Sequence, residues 1–218
     1  MERRKNNQRK ILLRILKLKT NFKNIKKMKP LKKTTAILAI AFMTFSFTTL
    51  NSIKKEVNTK TSTVTWKGYK VTGSHTGNII IKSGNLIFDN EVLYGGNFVI
   101  DMTTINVTDL DGEYKAKLEG HLKSDDFFGV TKFPTASLDF TKVKSTGKNS
   151  YKVTGDIVIK GKTEEINFDL SIYGSKATVT MKIDRTKFDV RYGSTSFFNG
   201  LKDKAIYDEF DLVADLEF

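Results

Sequence analysis

The chain has 218 residues, no cysteine and a formal net charge of +13. Fourteen of its 37 basic residues but only one of its 24 acidic residues lie in residues 1–33, so residues 34–218 hold 23 of each and carry no net charge. Because the excess charge belongs to one terminal arm, it does not indicate a nucleic-acid-binding domain. The lack of cysteine excludes disulfides, a lipid-attachment cysteine and a cysteine nucleophile.

Residues 34–50 are apolar and uncharged, and they directly follow Lys29, Lys32 and Lys33. A positive region followed by a short apolar region is typical of an export signal. These 17 residues are short for a membrane-spanning helix, which needs about 20 apolar residues. We therefore expect residues 1–50 to be a basic arm and an export signal, with a mature N-terminus near residues 47–57. The protein would then be periplasmic or otherwise extracytoplasmic, and an uncleaved anchor is the alternative.

Residues 1–27 have two interpretations. Apolar residues at helical spacing between basic residues, such as Ile11, Ile15 and Leu18, are typical of a helix that lies on an anionic membrane. In the other interpretation, which we favour, Met28 is the true start, because residues 28–33 already form a complete positive region.

Residues 51–218 are sufficient for one domain with a sizeable core. They are dominated by short runs in which apolar and polar residues alternate, the period of a strand with one buried face. Residues 82–85, Lys-Ser-Gly-Asn, have the composition of a hairpin turn, and Gly95-Gly96 suggests a bulge or sharp bend. The runs lie at residues 64–66, 79–81, 86–88, 98–102, 138–140, 153–159, 166–172, 177–183 and 210–218.

One segment has a different period. Leu110, Tyr114, Leu118 and Leu122 recur every fourth residue, which predicts a short helix with an apolar stripe that lies on a sheet. Pro134 ends this region and directs the chain into a new strand.

About eight strands without helical crossovers indicate an all-β antiparallel fold. Eight strands suffice to close a barrel, although a two-sheet sandwich would show the same alternation. Sixteen phenylalanines are more than a thin sandwich core needs, so we predict an eight-stranded barrel with one short helix.

Catalytic and metal-binding patterns are weak. The two histidines, His75 and His121, have no metal-ligand spacing, and we expect no metal site, no catalytic residue and no cofactor. Gly-rich phosphate loops and the Gly-x-Ser-x-Gly motif are missing from the sequence. One enzymatic alternative remains, a barrel acting on a small apolar substrate with His121 and Asp125 as acid and base. A ligand-free sandwich used as an extracytoplasmic interaction module is another.

Several motifs together resemble the YceI-like family of bacterial lipid-binding proteins. The longest is residues 120–128, GHLKSDDFF, which continues into residues 132–136, KFPTA. In the order that the family shows, the others are STVTW at 62–66, GSHTG at 73–77, TGDIVIKG at 154–161 and IDRTKF at 183–188. Many members carry an Arg-Asp pair shortly before the His-Leu, whereas this chain has Leu118-Glu119-Gly120 there. A contact between that arginine and the lipid headgroup is therefore not expected in this chain.

The resemblance covers about residues 57–218 and implies a lipocalin-like barrel that holds a polyisoprenoid or similar amphipathic lipid, usually in the periplasm. We expect an amphipathic lipid partner such as a polyisoprenoid or isoprenoid quinone, no nucleic acid, and no membrane span after signal removal. A homodimer is left open, as is a filled core without a cavity.

The predicted ligand-binding residues fall into three groups. Phenylalanines and a tryptophan on apolar strand faces are expected to line the interior: Trp66, Phe98, Phe140 and Phe168. Residues of the family motifs are expected near the ligand: His75, Phe127, Phe128, Phe133 and Phe188. Two polar residues embedded in aromatic motifs, His121 and Arg185, are candidates for contact with the polar head of the lipid, since Arg185 offers a fork of donors. In the alternative, Arg185 pairs with Asp184 or Asp189 on the surface.

Overall fold

The computed structural model describes residues 52–218, so the predictions for the basic arm, the export signal and the mature N-terminus up to residue 51 lie outside the described residues. It contains the strands and helix β1 Ser52–Glu56, β2 Thr63–Lys70, β3 Gly73–Asp89, β4 Val92–Val107, α1 Gly112–Lys123, β5 Thr135–Ser145, β6 Ser150–Ile159, β7 Lys162–Tyr173, β8 Lys176–Asp184 and β9 Ile206–Glu217. Two short 3-10 helices lie at Arg185–Phe188 and Lys202–Lys204. Of the helices in residues 52–218, none is long and apolar enough to cross a membrane.

Strands β2 to β9 close into a ring. Their order is β3-β2-β9-β8-β7-β6-β5-β4, and β4 pairs back onto β3, with every neighbouring pair antiparallel. The short strand β1 pairs with residues 85–89 of β3, beyond the part that pairs with β2. Closure pairs the backbone groups that an open sheet would leave at its edges. The predicted eight-stranded barrel is therefore confirmed, and the two-sheet sandwich is wrong.

The alternating runs correctly predicted which side chains face inward. In β8, Ala177, Val179, Met181 and Ile183 are buried, whereas the threonines and lysine between them are exposed. The same alternation brings Phe98 and Met102 of β4 into the core. Apolar burial of this kind, at roughly 25 cal/mol per Å² removed from water, is the main force that holds the barrel together.

The predicted hairpin turn at residues 82–85 is wrong. Strand β3 continues through these residues, and the chain reverses at Asn90-Glu91, where both residues have positive φ (47° and 67°). A two-residue turn with two left-handed residues matches the twist of the strands it joins. The predicted irregularity at Gly95-Gly96 is confirmed, because the β3–β4 register shifts between the pairs Ile87–Gly95 and Phe88–Leu93.

The predicted helix exists, but its predicted apolar stripe does not form a buried face. Helix α1 contains no buried residue, and Tyr114 is 75% exposed. Leu122 alone of the helix's stripe residues packs partly buried against the core of residues 52–218, and it borders the cavity. A polar contact also attaches the helix, in which the backbone N–H of Val107 donates to Glu119 Oε1 at 2.9 Å. The four positions of the predicted stripe are therefore not all used for packing.

The two ends of the barrel differ. One end, which we call the helix end, carries the turn at 71–72, the long connection 108–134 with α1, the turn at 160–161 and the long connection 185–205. The other, the far end, carries residues 57–62, the short turns at 90–91, 146–149 and 174–175, and the C-terminus. Any elaborate site is therefore expected at the helix end, where the long connections are.

Candidate functional site

The barrel of residues 52–218 holds a large apolar cavity of about 180 Å³. A cavity of about 10–15 Å³ is enough to hold one water, so this space suits a larger group. Among its lining residues are Val64, Ile79, Ile81, Ile100, Met102, Ile105, Leu122, Leu138, Ile157, Val179, Met181, Ile183, Phe210, Leu212 and Leu216. With so few polar groups in its wall, the cavity suits an apolar occupant.

The cavity does not extend to the far end. There the interior is filled by side chains that are almost fully buried, including Leu86, Val153 and Leu170, which are 0%, 0% and 1% exposed. The rings of Phe88 and Phe218 pack beside them with centroids 5.7 Å apart. These five residues do not border the cavity, so the space is closed at this end and lies toward the helix end.

All four residues that were predicted to line the interior border the cavity. Phe140 lies between two other rings, with centroid distances of 5.8 Å to Phe98 and 5.5 Å to Phe168. Together they form one aromatic wall. The predicted site residues that border the cavity are Trp66, Phe98, Phe127, Phe128, Phe140, Phe168 and Arg185.

Two strand glycines make room for aromatic rings that border the cavity. A Cβ at Gly77 would lie 1.9 Å from the carbonyl oxygen of Asn106 and 2.5 Å from the ring of Trp66. A Cβ at Gly84 would lie 2.5 Å from the ring of Phe98. Glycine inside a strand often marks such a close approach.

The cavity reaches solvent between β2 and β9. Their pairing is regular up to Gly68–Phe210 and resumes at Lys70–Ile206, so Tyr69 alone faces three residues of β9. Both Gly68 and Tyr207 border the cavity, and Tyr207 is 56% exposed. We call this gap the mouth and define it by Gly68, Tyr69 and Tyr207. Sequence reasoning did not find these residues, although Gly68 continues the inward series of Val64 and Trp66.

A hydrogen bond holds one side of the mouth. The hydroxyl of Tyr69 donates to Asp211 Oδ2 at 2.5 Å, and Lys182 Nζ donates to the other oxygen at 3.0 Å. This bond to the carboxylate raises the pKa of Tyr69, and the same bond, followed by that from Lys182, lowers the pKa of Asp211. Tyr69 is thus kept protonated and in place.

Arg185 is a buried connector rather than a surface residue. It is 2% exposed and donates from Nη1 to Val190 O at 2.7 Å, from Nη2 to Ile206 O at 3.0 Å and from Nε to Tyr207 O at 3.0 Å. Burial lowers its pKa, while the nearby carboxylate of Asp208, 3.6 Å from Nη2, opposes that shift.

The proposed surface pairing of Arg185 is therefore wrong. Asp184 accepts from the backbone N–H of Thr186 at 2.9 Å, and Asp189 pairs with Arg191 at 2.9 Å. Arg185 borders the cavity, but three of its donors are taken up by backbone carbonyls.

The other predicted residues lie outside the cavity wall. His121 packs edge-on against Phe127 and Tyr192, with centroids 5.5 and 4.4 Å away, and its buried Nε2 has no hydrogen-bond partner within residues 52–218. Asp125 is exposed and accepts from Lys132 Nζ at 2.7 Å, so the structure does not pair it with His121.

His75, Phe133 and Phe188 also do not border the cavity. His75 Nδ1 lies 3.0 Å from Asp109 Oδ2 near the surface. Phe133 packs over Gly161, and Phe188 is buried in the core. Within the part of the chain from residue 52 onward, no group of three or more His, Asp or Glu side chains is arranged to hold a metal ion.

The chain is similar to proteins in several bacteria. A UPF0312 protein of Pseudomonas putida strain W619 is 29% identical over 152 residues, which cover 66% of this chain and 74% of that protein. Protein YceI of Shigella flexneri is 35% identical over 71 residues, which cover 33% of this chain and 36% of that protein.

Solved structures share the fold. BcnA of Burkholderia cenocepacia superposes with a TM-score of 0.59 at 21% identity and covers 73% of this chain and 98% of its own. A polyisoprenoid-binding domain from Saccharophagus degradans, implicated in plant cell wall breakdown, superposes with a TM-score of 0.54 at 14% identity and covers 77% of this chain and 97% of its own.

The family resemblance that the motifs indicated is confirmed. Residues 55–218 match the sequence profile of the YceI-like domain, from the end of β1 to the last residue. Since this match spans nearly the whole barrel, the chain belongs to the YceI-like family.

Proposed function

We propose that this protein is an exported lipid-binding protein that holds the apolar chain of an amphipathic lipid, of the polyisoprenoid class, inside its barrel. The observation that carries the proposal is the apolar cavity that is closed at the far end and reaches solvent at the mouth. Each buried CH₂ group of a chain contributes roughly 0.8 kcal/mol. Losses of entropy and imperfect fit offset part of that gain.

Two further observations support the ligand class and the location. A polyisoprenoid-binding domain from Saccharophagus degradans has the same barrel fold. An isoprenoid quinone has a chain of the same chemistry and belongs to the proposed class. The charge and hydropathy of residues 29–50 support export to an extracytoplasmic compartment.

Binding without turnover is part of the proposal. The acid/base alternative needs His121 and Asp125 close together, whereas Asp125 is exposed and pairs with Lys132. No cofactor beyond the bound lipid is proposed.

Neither polar candidate has a ready contact with the polar head of the lipid. Arg185 borders the cavity, but three of its donors are used by backbone carbonyls. Nε2 of His121 has no partner among residues 52–218, but His121 does not border the cavity.

Blocking the mouth tests the proposal. No atom lies within 4 Å of a Cβ placed on Gly68, which faces the cavity, so Gly68→Trp is expected to put an indole into the mouth. If the ring displaces only two CH₂ groups of a bound chain, at roughly 0.8 kcal/mol each, affinity falls about tenfold. We expect organic extraction and mass spectrometry to find a prenyl lipid in the wild type and at least this reduction in Gly68→Trp.

Gly120→Trp is the matched control, since Gly120 lies on the exposed surface of α1 and also has no atom near its Cβ position. This control should carry as much lipid as the wild type. A wild-type protein that contains no lipid and takes up no added prenyl alcohol would contradict the proposal, as would equal loading of the two tryptophan variants.

Lipid binding in the cavity should depend little on salt. Residues 34–218 have no net charge, and the cavity wall is apolar, so burial rather than charge drives the binding. The dissociation constant of a prenyl alcohol, measured by fluorescence titration at low and at moderate salt, is expected to stay nearly constant. A tenfold weakening at moderate salt would point instead to charge recognition of the ligand.

A further inference from the structure

The mouth is bordered by a group of exposed apolar side chains at the helix end. Val71 follows β2, Tyr207 lies at the start of β9, and the others belong to the connection 185–205. Each of these side chains is about half exposed. We call this group the rim and define it by Val71, Tyr192, Phe197, Phe198 and Tyr207.

Backbone hydrogen bonds hold the rim in place. The N–H of Ile206 donates to Gly193 O at 2.8 Å, and that of Val71 donates to Ala205 O at 3.1 Å. The N–H groups of Phe197 and Phe198 both donate to Ser194 O, at 3.2 and 3.0 Å. The rim is thus a fixed surface next to the mouth, and the two phenylalanines are exposed at a defined place.

Basic side chains accompany the rim. Lys70, Lys202 and Lys204 take part in no ion pair among residues 52–218. The guanidinium of Arg191 lies 4.6 Å from the centroid of the Phe197 ring. Arg191 pairs with Asp189 at 2.9 Å, and Asp203 is the other acidic residue of this connection. Residues 185–205 therefore combine exposed aromatic rings with an excess of positive charge. The acidic residues that follow, Asp208 and Glu209, pair with Arg185 at 3.6 Å and with Lys182 at 3.9 Å.

We propose that the rim docks the barrel onto an anionic lipid bilayer, with the mouth facing the membrane. Aromatic rings are favoured at the boundary between headgroups and acyl chains, and lysines nearby are attracted to anionic headgroups. Tyr207 belongs to both the rim and the mouth, so a lipid chain would pass from bilayer to cavity without crossing water. The role in loading rests on the proposed function, whereas docking itself is measurable without any bound ligand.

The lack of native cysteine permits a site-specific test on the full chain. Phe198→Cys on the rim and Tyr173→Cys at the far end, both exposed positions, are each labelled with the same fluorophore. They are then mixed with vesicles of phosphatidylcholine and phosphatidylglycerol that contain a brominated lipid quencher. We expect quenching at position 198 and none at position 173. This contrast separates rim docking from membrane binding by the basic N-terminal arm, which both variants share.

The contributions of charge and of aromatic rings to docking are measured separately. Quenching at position 198 should be lost on vesicles of phosphatidylcholine alone and weakened by salt. In an unlabelled protein that combines Phe197→Ser and Phe198→Ser, vesicle partition should fall about tenfold or more, because two rings no longer enter the apolar phase. The far-end pair Tyr94→Ser and Tyr173→Ser is the control and should change little.

Equal quenching at positions 198 and 173, no quenching at either, or equal loss in the two serine pairs would overturn the docking proposal. Extraction of lipid from the purified wild type is recorded in parallel. Quenching at position 198 in a protein without lipid would leave docking standing and refute the lipid-binding proposal. Lipid in the purified protein without quenching at position 198 would refute the docking proposal and leave the lipid-binding proposal standing.

Discussion

Arg185→Met is expected to reduce the free energy of unfolding by about 3–5 kcal/mol, the usual result of removing one member of a buried charged network. The guanidinium is 2% exposed and donates to the carbonyl oxygens of Val190, Ile206 and Tyr207. Methionine fills much of the same space but offers no donor, so these oxygens lose their charged partner. Domains have about 5–15 kcal/mol of stability in total, and denaturant unfolding curves should show the loss clearly.

Arg191→Met is the matched control. The side chain of Arg191 is 55% exposed and pairs with Asp189 on the surface, where such pairs contribute about 0–1 kcal/mol. Arg185→Lys keeps the charge but not the planar fork of donors, so it should recover only part of the loss. Equal effects of Arg185→Met and Arg191→Met would contradict the role of Arg185 as a connector.

The effect of Arg185→Met should also depend on pH. Burial would raise the pKa of Asp208, but the hydroxyl groups of Ser194 and Ser196 and the charge of Arg185 outweigh it, so the pKa is lowered. A carboxyl group with a lowered folded pKa stabilises the fold above its unfolded pKa of about 3.9 and stops doing so as pH falls through the folded value. The stability difference between wild type and Arg185→Met should therefore narrow in acid.

The barrel was predictable from the sequence because the alternation of apolar and polar residues is a local pattern that recurs in strand after strand. Each inward residue of β8 is apolar and each outward one polar, and this pattern needs no knowledge of the partner strands. The aromatic wall of Phe98, Phe140 and Phe168 follows from the same alternation once the ring of strands closes.

Features that depend on distant backbone were not predictable in this way. The partners of Arg185 are carbonyl groups up to 22 residues away, which leave no trace in side-chain composition. The prediction of a turn at 82–85 is wrong because it depends on the preference of glycine for turns. Gly84 instead lies inside a strand, where its lack of a side chain leaves room for the ring of Phe98. The mouth arises because β2 advances by two residues, from Gly68 to Lys70, while β9 spans four, from Phe210 to Ile206. This difference is visible only when the pairing of the two strands is known.

Phe140→Asp is expected to destabilise the barrel by several kcal/mol near neutral pH and to empty the cavity. Phe140 borders the cavity and touches the rings of Phe98 and Phe168. A carboxylate there would lie among apolar groups without a partner, and its burial costs several kcal/mol unless it takes up a proton. The loss of the ring adds a cavity penalty, about 3–5 kcal/mol for phenylalanine replaced by alanine.

The pH dependence of stability distinguishes the cost of a buried charge from simple loss of packing. A buried carboxyl group has a raised folded pKa, so its penalty is full at neutral pH and shrinks as pH falls toward that value. We therefore expect Phe140→Asp to lose less stability in mildly acidic than in neutral buffer, and Phe140→Ala to lose the same amount in both.

Thr141→Asp, at the exposed neighbouring position of the same strand, introduces the same charge and should change stability by little. If Phe140→Asp matched Thr141→Asp in stability and in extracted lipid, Phe140 would not face the interior. The aromatic wall, on which the cavity and its proposed ligand both depend, would then be wrong.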